Sequence, residues 1–386
     1  VTDGAVRPFT LAVPEIVLED LRTRLARTRF PDAAPVAGWD QGLPLDYARE
    51  LRDHWLHRYD WRATETRLNE LGQQHTVIDG VDVHLLHVRS PEPAAVPLLL
   101  SHGWPGSVVE FLDVIGPLTD PVAHGGDAAD AFHVVAPSLP GYGFSSAPTV
   151  PGWDVERIAD AWVVLMNRLG HGRFIAQGGD WGAMVSTAIA VRHPASLHGV
   201  HVNMPLVRPT DDPYTDEERA LEARYRRFLD TAAYGRVQTT SPQTLGYGLA
   251  DSPMGQAAWI IEKFAQWTDN DGHPEDAVSR DRLLDDVMLY WLSNAGTSSA
   301  RLYWESWLRP DLSPVEVPAG LSLFPADIMG SSRRWAEARF LDLRTFHVHD
   351  RGGHFAALEV PDLLVEDLRA FARTVRATAP AADPAR

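Results

Sequence analysis

The 386-residue chain contains no cysteine, which excludes disulfides, thiolate metal sites and a cysteine nucleophile. Lysine is nearly absent too: Lys263 is the only one among 35 basic residues, a bias that reads as genome composition rather than function. Basic charge is scarce beside 52 acidic residues, and the formal net charge is −17. Nucleic acid and anionic membranes are therefore poor partners, since both call for clustered cations. Long apolar runs are missing as well. The stretch from Ala95 to Leu100 has only strand length, far below the ~20 residues that span a bilayer. Val1 to Gly4 does not lead from basic residues into an apolar segment. The expectation is a soluble, cytoplasmic protein with no membrane anchor. Hydrophobic residues at 45% and charged residues at 23% suit a globular chain, long enough for one large domain with an insertion or for two domains.

What is present begins with helical periodicity over residues 14–30, 46–59 and 64–71, then alternation across Gly80 from Thr76 to Val88 that predicts a hairpin. Strands are predicted at Leu98 to Leu100, Phe132 to Pro137, Phe174 to Ala176 and Val200 to Asn203, with a helix from Val155 to Leu169. Such alternation implies a mostly parallel sheet with helices on both faces. From about residue 206 to 312 the strand signal stops and aromatic-rich helices take over, a pattern that reads as a lid. Strands resume at Leu321 to Phe324 and Thr345 to Val348, and a helix from Pro361 to Val375 closes the chain. The Asp120 to Asp130 segment reads as a mobile surface loop. The acidic cluster Asp211, Asp212, Asp216, Glu217 and Glu218 reads as a solvated lid face.

The most informative stretch is Phe174-Ile175-Ala176-Gln177-Gly178-Gly179-Asp180-Trp181-Gly182, an apolar strand running through a glycine-flanked turn into a small-residue helix. A nucleophile elbow of the form G-x-S-x-G lifts one side chain above the sheet edge. Here that position carries Asp180. A carboxylate needs no deprotonation at neutral pH and can attack an sp³ carbon, forming an alkyl ester on the protein.

Such a nucleophile needs oxyanion donors, a base and a group that orients the base. His102-Gly103-Trp104-Pro105-Gly106 follows a strand, where one oxyanion donor belongs, and the N–H of Trp181 is the other. The acid and the histidine should follow the nucleophile in chain order. Asp350-Arg351-Gly352-Gly353-His354 places a histidine on a glycine loop after the last strand, and Phe324-Pro325-Ala326-Asp327 places an acid at a strand end. Asp350 and Glu316 compete with Asp327 for that role.

Together, Gly178-Gly179-Asp180-Trp181-Gly182, the His102 to Gly106 loop and Arg351-Gly352-Gly353-His354-Phe355-Ala356-Ala357 resemble the microsomal-type epoxide hydrolases. The N-terminal part is similar to that family's own N-terminal region, at Pro8-Phe9, Thr28-Arg29-Phe30-Pro31, Trp61 and Leu68-Asn69. The resemblance implies an α/β-hydrolase fold, with an extension over 1–92, core parts over 93–205 and 313–376 and a helical lid over 206–312; the Ala/Pro-rich composition of 377–386 reads as a disordered tail. It also implies two lid tyrosines that hold the epoxide oxygen, matching Tyr303 and Tyr234; Tyr225 and Tyr247 compete for the second position. On this reading Asp180 opens the ring, His354 oriented by Asp327 activates water, and Trp104 and Trp181 stabilise the oxyanion. The partners are a small apolar epoxide and water, no metal or organic cofactor is required, and oligomeric state is open, a homodimer being one option.

Two other functions share these features. A haloalkane dehalogenase also uses an elbow Asp followed by Trp, but needs N–H donors for halide where an epoxide needs O–H acids. A non-catalytic receptor on the same fold has no need of Asp180, His354 and Asp327 together.

Overall fold

The computed structural model describes residues 4–210, 212–307 and 309–376; Asp211 and the tail 377–386 lie outside them. The chain opens with strand β1 (Arg7–Pro8) and helices α1 (Glu15–Ala26), α2 (Leu45–His57) and α3 (Trp61–Asn69). A hairpin of β2 (Gln73–Ile78) and β3 (Val81–Val88) follows. At its tip Asp79 and Gly80 take φ of +49° and +80°, the positive pair that a two-residue hairpin turn requires.

The alternating core runs β4 (Val96–Ser101), α4 (Leu112–Thr119), β5 (Phe132–Pro137), α5 (Val155–Arg168), β6 (Phe174–Gly178), α6 (Asp180–Arg192) and β7 (Leu197–Val202). Six helices then replace strands: α7 (Asp216–Thr231), α8 (Ala233–Thr240), α9 (Pro242–Asp251), α10 (Pro253–Trp267), α11 (Arg280–Ser293) and α12 (Ala295–Ser306). β8 (Val315–Leu323), α13 (Arg333–Glu337), β9 (Phe340–Val348), α14 (Ala356–Glu359) and α15 (Pro361–Arg376) complete the fold.

The described strands form one sheet in the order β1-β2-β3-β5-β4-β6-β7-β8-β9. Pairing is antiparallel from β1 through β3 to β5 and parallel from β5 onward to β9. Leu98, Leu99 and Leu100 in β4 are all buried, as expected of a parallel strand covered on both faces. Two helical layers provide that cover, α5 with α6 and α4 with α15. After β4 the chain moves to β5 on one side and then to β6 on the other. That reversal opens a crevice at the carboxyl ends of β4 and β6, where ligands bind in open α/β sheets.

Two surface expectations need correction. The Asp120 to Asp130 segment is partly ordered into 3₁₀ turns at Val122–His124 and Ala128–Asp130. Its last residue, Asp130, is buried and paired with Arg373, which ties the segment to α15. Glu218 also departs from the solvated acidic face. It closes a capping box with Thr215 and is buried against Ser332 Oγ at 2.7 Å and Arg334 Nε at 3.1 Å. A carboxylate is buried at low cost only when it is paired in this way, and the pairing anchors α7 to α13. No helix among the described residues is long and apolar enough to cross a membrane.

Candidate active site

Strand β6 ends at Gly178, and Asp180 opens α6 with φ +50°, a conformation residues with a Cβ seldom adopt. The surrounding glycines have steric reasons. A Cβ on Gly178 would come within 2.2 Å of the Gly182 backbone, and one on Gly182 within 1.8 Å of the Ser101 carbonyl oxygen. Helix α6 can therefore press against β4 and β6 only without those side chains. The turn directs the Asp180 carboxylate into the crevice.

There its two oxygens have different neighbours. Oδ1 accepts the backbone N–H of Trp104 at 2.8 Å, while Oδ2 lies 3.5 Å from His354 Nε2. His354 Nδ1 is 2.7 Å from Asp327 Oδ1, which also accepts the Ile328 N–H at 2.7 Å. Both His354 and Asp327 are buried, whereas Asp350 and Glu316 are exposed. Trp181 stands in the first turn of α6, where a backbone N–H has no partner within the helix and the helix dipole favours negative charge. The loop bearing Trp104 is shaped by Gly103, whose Cβ would fall 2.3 Å from Asp180 Oδ1. His102 braces the same loop: its Nε2 accepts the Leu139 N–H at 3.1 Å, and burial lowers its pKa to about 4, so it stays neutral.

Tyr234 on α8 and Tyr303 on α12 close the crevice from the helical insertion. Both are buried, their rings edge to face with centroids 5.9 Å apart. Tyr234 stacks on Trp104 at 5.0 Å, and Tyr303 meets Trp181 edge-on at 4.8 Å. The loop after β5 fastens α12 in place: Tyr142 donates its hydroxyl to the Ser299 carbonyl at 3.0 Å, and Ser298 donates to the Gly141 carbonyl at 2.6 Å. Of the competing tyrosines, Tyr247 is 72% exposed, and Tyr225, 39% exposed, lines the cavity leading to Asp180 without the burial of Tyr234.

Electrostatics divides these groups into acids and a base. Burial first, and then the Asp180 charge, hold Tyr234 well above the ordinary phenol pKa. Tyr303 is raised by burial, by Tyr234 and by Asp180. Burial alone would lower the His354 pKa, but Asp327 and Asp180 outweigh it and hold it at about 10. The free site thus combines two protonated phenols with an imidazolium set between two carboxylates. A cavity of about 370 Å³ leads to Asp180 past Trp181, Met184, Phe228, Tyr234 and Trp307.

The family description "Epoxide hydrolase N terminus" matches residues 6–111, and "alpha/beta hydrolase fold" matches residues 96–258. A putative epoxide hydrolase of Stigmatella aurantiaca is 50% identical over 378 residues, covering 96% of this chain and 86% of that protein. Epoxide hydrolase 1 of Sus scrofa is 34% identical, covering 96% and 89%. The chain belongs to the epoxide hydrolase family. Among solved structures, the epoxide hydrolase of Aspergillus niger superposes with a TM-score of 0.87 at 33% identity, over 96% of this chain and 97% of that one. The juvenile hormone epoxide hydrolase of Bombyx mori gives 0.87 at 30% identity, over 97% and 96%.

Within this family member the structure brings together all seven residues expected from sequence: Asp180, His354, Asp327, Tyr303, Tyr234, Trp104 and Trp181. It adds three that sequence reading passed over. The Trp267 backbone carbonyl accepts the His354 backbone N–H at 2.8 Å, and the Trp267 ring lies against the imidazole. Lys263 lies buried over the Tyr234 ring, and Glu110 lines the pocket beside Asp180. Glu110 carried one usable signal, its place four residues beyond Gly106 in the oxyanion loop. Among the described residues, His347, His349 and Asp367 are the group with metal-ligand potential. His349 Nε2 sits 2.7 Å from Asp367 Oδ2, a direct hydrogen bond rather than two ligands spaced around an ion.

Proposed function

We propose that the chain adds water to an apolar epoxide, giving a vicinal diol through an alkyl ester on Asp180. The observation that carries this reading is the division of the Asp180 carboxylate. Trp104 holds Oδ1, while Oδ2 is left to attack a carbon presented beneath two buried phenols.

In the first stage Oδ2 bonds to an epoxide carbon and the ring C–O bond breaks. Tyr234 and Tyr303 hydrogen-bond the departing oxygen, and one of them supplies its proton. The ester carries no charge at Asp180, so one of the two carboxylates that hold the His354 proton is lost. The imidazole pKa falls, and His354 passes its proton to the phenolate and becomes a base, with Asp327 fixing its tautomer. In the second stage water attacks the ester carbonyl carbon and gives one proton to His354. Oxyanion charge gathers on Oδ1 under the Trp104 and Trp181 amides, each donor being worth about 3 kcal/mol. Collapse releases the diol as His354 returns its proton to the leaving oxygen. The second water proton, left on Asp180, passes to His354 and restores the imidazolium.

The helices α7 to α12 act as the lid on this reading, and the apolar lining of the cavity suits a sizeable apolar epoxide. Trp181 Nε1 is buried with no hydrogen-bond partner, and a halide could use such a donor; yet the phenols supply the O–H acids an epoxide requires, and the relatives are epoxide hydrolases. The test is trapping. A His354→Gln variant mixed with styrene oxide should gain one substrate mass at Asp180 and release little diol. Binding without an adduct, or halide release from an alkyl halide without diol formation from an epoxide, would reject the reading.

A further inference from the structure

Glu110 is the ionisable residue lining the nucleophile's pocket that the reaction above leaves unused. It lies in the 3₁₀ turn Val108–Phe111, just beyond the oxyanion loop, and is 9% exposed. A Cβ built on Gly106 would fall 1.4 Å from Glu110 Oε1, so the carboxyl fills the slot that the missing side chain leaves. The two glycines of the His102 to Gly106 loop therefore make room for two different carboxyls: Gly103 for Asp180 and Gly106 for Glu110.

Between these groups is a small pocket of about 20 Å³, lined by Gly103, Trp104, Glu110, Asp180 and His354 among others. One water needs at least about 10–15 Å³ and two or more polar partners, and this pocket offers both. No described side chain hydrogen-bonds the Glu110 carboxyl; the Ser107 backbone does, and a carboxyl keeps further acceptor capacity for the pocket that Glu110 lines. Behind it Asp286 is fully buried, its Oδ1 accepting from Ser107 Oγ at 2.6 Å and its Oδ2 without a partner. Burial first, and then Asp286, push the Glu110 pKa well above the usual carboxylate range; His354 opposes them, Asp180 adds a lesser push, and the Ser107 backbone opposes least. A neutral carboxyl in that position still accepts through its carbonyl oxygen.

We propose that the Glu110 carboxyl accepts a hydrogen bond from the hydrolytic water and holds it, opposite His354, against the carbonyl carbon of the Asp180 ester. The inference rests on the ester reading. A water that gives one O–H to His354 Nε2 has a second that must point somewhere, and in an enclosed pocket an undirected O–H leaves the attacking lone pair misaligned. With that second O–H on Glu110, the lone pair faces Asp180 Cγ. As the new C–O bond forms, the carbonyl π electrons move to Oδ1, one proton passes to His354, and Glu110 keeps its own proton.

Single-turnover mixing of styrene oxide with excess enzyme, read by rapid quench and intact mass, separates ester formation from ester decay. In Glu110→Met, formation should match the parent while decay slows about tenfold or more, the kinetic equivalent of one lost hydrogen bond, so the ester accumulates. Glu110→Gln keeps a carbonyl acceptor and should restore most of the decay rate. Parental decay in Glu110→Met overturns the proposal. So does an equal slowing of both steps, or failure of Gln to rescue. Should the Met variant not fold, Gly106→Ala displaces the carboxyl while retaining Glu110 and should slow decay likewise; unchanged decay there overturns the proposal too. Absence of any ester in His354→Gln under the same conditions would instead reject the covalent reading itself, and the role of Glu110 with it.

Discussion

The ammonium of Lys263 lies 4.8 Å from the centre of the Tyr234 ring. This single lysine is buried, with Glu262 at 3.0 Å as its counter-ion, and burial lowers its pKa while Glu262 opposes that shift. A cation against a phenol ring favours the phenolate, so it sharpens the acidity of the hydroxyl that burial has blunted. Replacing it by Lys263→Met removes about 1 kcal/mol of that support, and ester formation should slow roughly fivefold. Lys263→Arg should keep most of the rate. Single-turnover ester formation is the measurement, and an unchanged rate in the Met variant would show that the lysine only fills space.

The two phenols should share the protonation of the ring oxygen. Tyr234→Phe or Tyr303→Phe alone should lower the rate of ester formation about 10²-fold, and the double variant should lose it almost entirely. Ester decay, measured after slow loading, should change little. If either single change slows decay as much as formation, the tyrosines are acting through packing of the aromatic cluster.

The two steps should differ in their dependence on pH. Burial holds both phenols protonated, so ester formation should be flat across neutrality. Ester decay needs neutral His354, whose pKa falls once Asp180 is esterified; Asp327, Glu110 and Glu359 remain around it. Decay should therefore rise with pH to a plateau. In the free protein the His354 pKa is raised from 6.5 to about 10. Its contribution to stability is then fully present below pH 6.5 and is lost as pH rises through about 10. Denaturant midpoints across that range should fall for the parent and stay flatter for His354→Gln.

Two glycines offer a contrast. Gly182→Ala would set a Cβ 1.8 Å from the Ser101 carbonyl oxygen, a backbone clash that should cost about 1–3 kcal/mol or more and lower the unfolding midpoint. Gly103→Ala instead meets the Asp180 carboxylate, at 2.3 Å from Oδ1. Stability should change less there, while turnover should fall about 10²-fold because the nucleophile is displaced. A stable, fully active Gly103→Ala variant would contradict this account of the loop.

Much of the architecture was legible because its signals are local. The Asp79-Gly80 turn, the apolar run of β4 and the strand–glycine–helix pattern around Asp180 depend on neighbours a few residues away. Chain order, together with a glycine loop and a strand end, pointed to His354 and Asp327 among 16 histidines and 52 acids, with Asp350 and Glu316 still competing for the role of the acid. The acidic stretch near Glu218 misled for the opposite reason. Nothing within it announces Arg334 and Ser332, more than a hundred residues later in the chain, which bury one of its members.

By itself, then, the sequence determined the elbow, the direction of the sheet and the residue at the elbow's tip, Asp180, all of which follow from backbone sterics and short-range pattern. Only the tertiary structure decided the rest. It separated buried Tyr234 from exposed Tyr225 and Tyr247, set Lys263 over a phenol, and turned the slot beneath Gly106 into a seat for Glu110. Those outcomes depend on desolvation and on close approach between segments far apart in the chain, and neither quantity is written in the residues on either side.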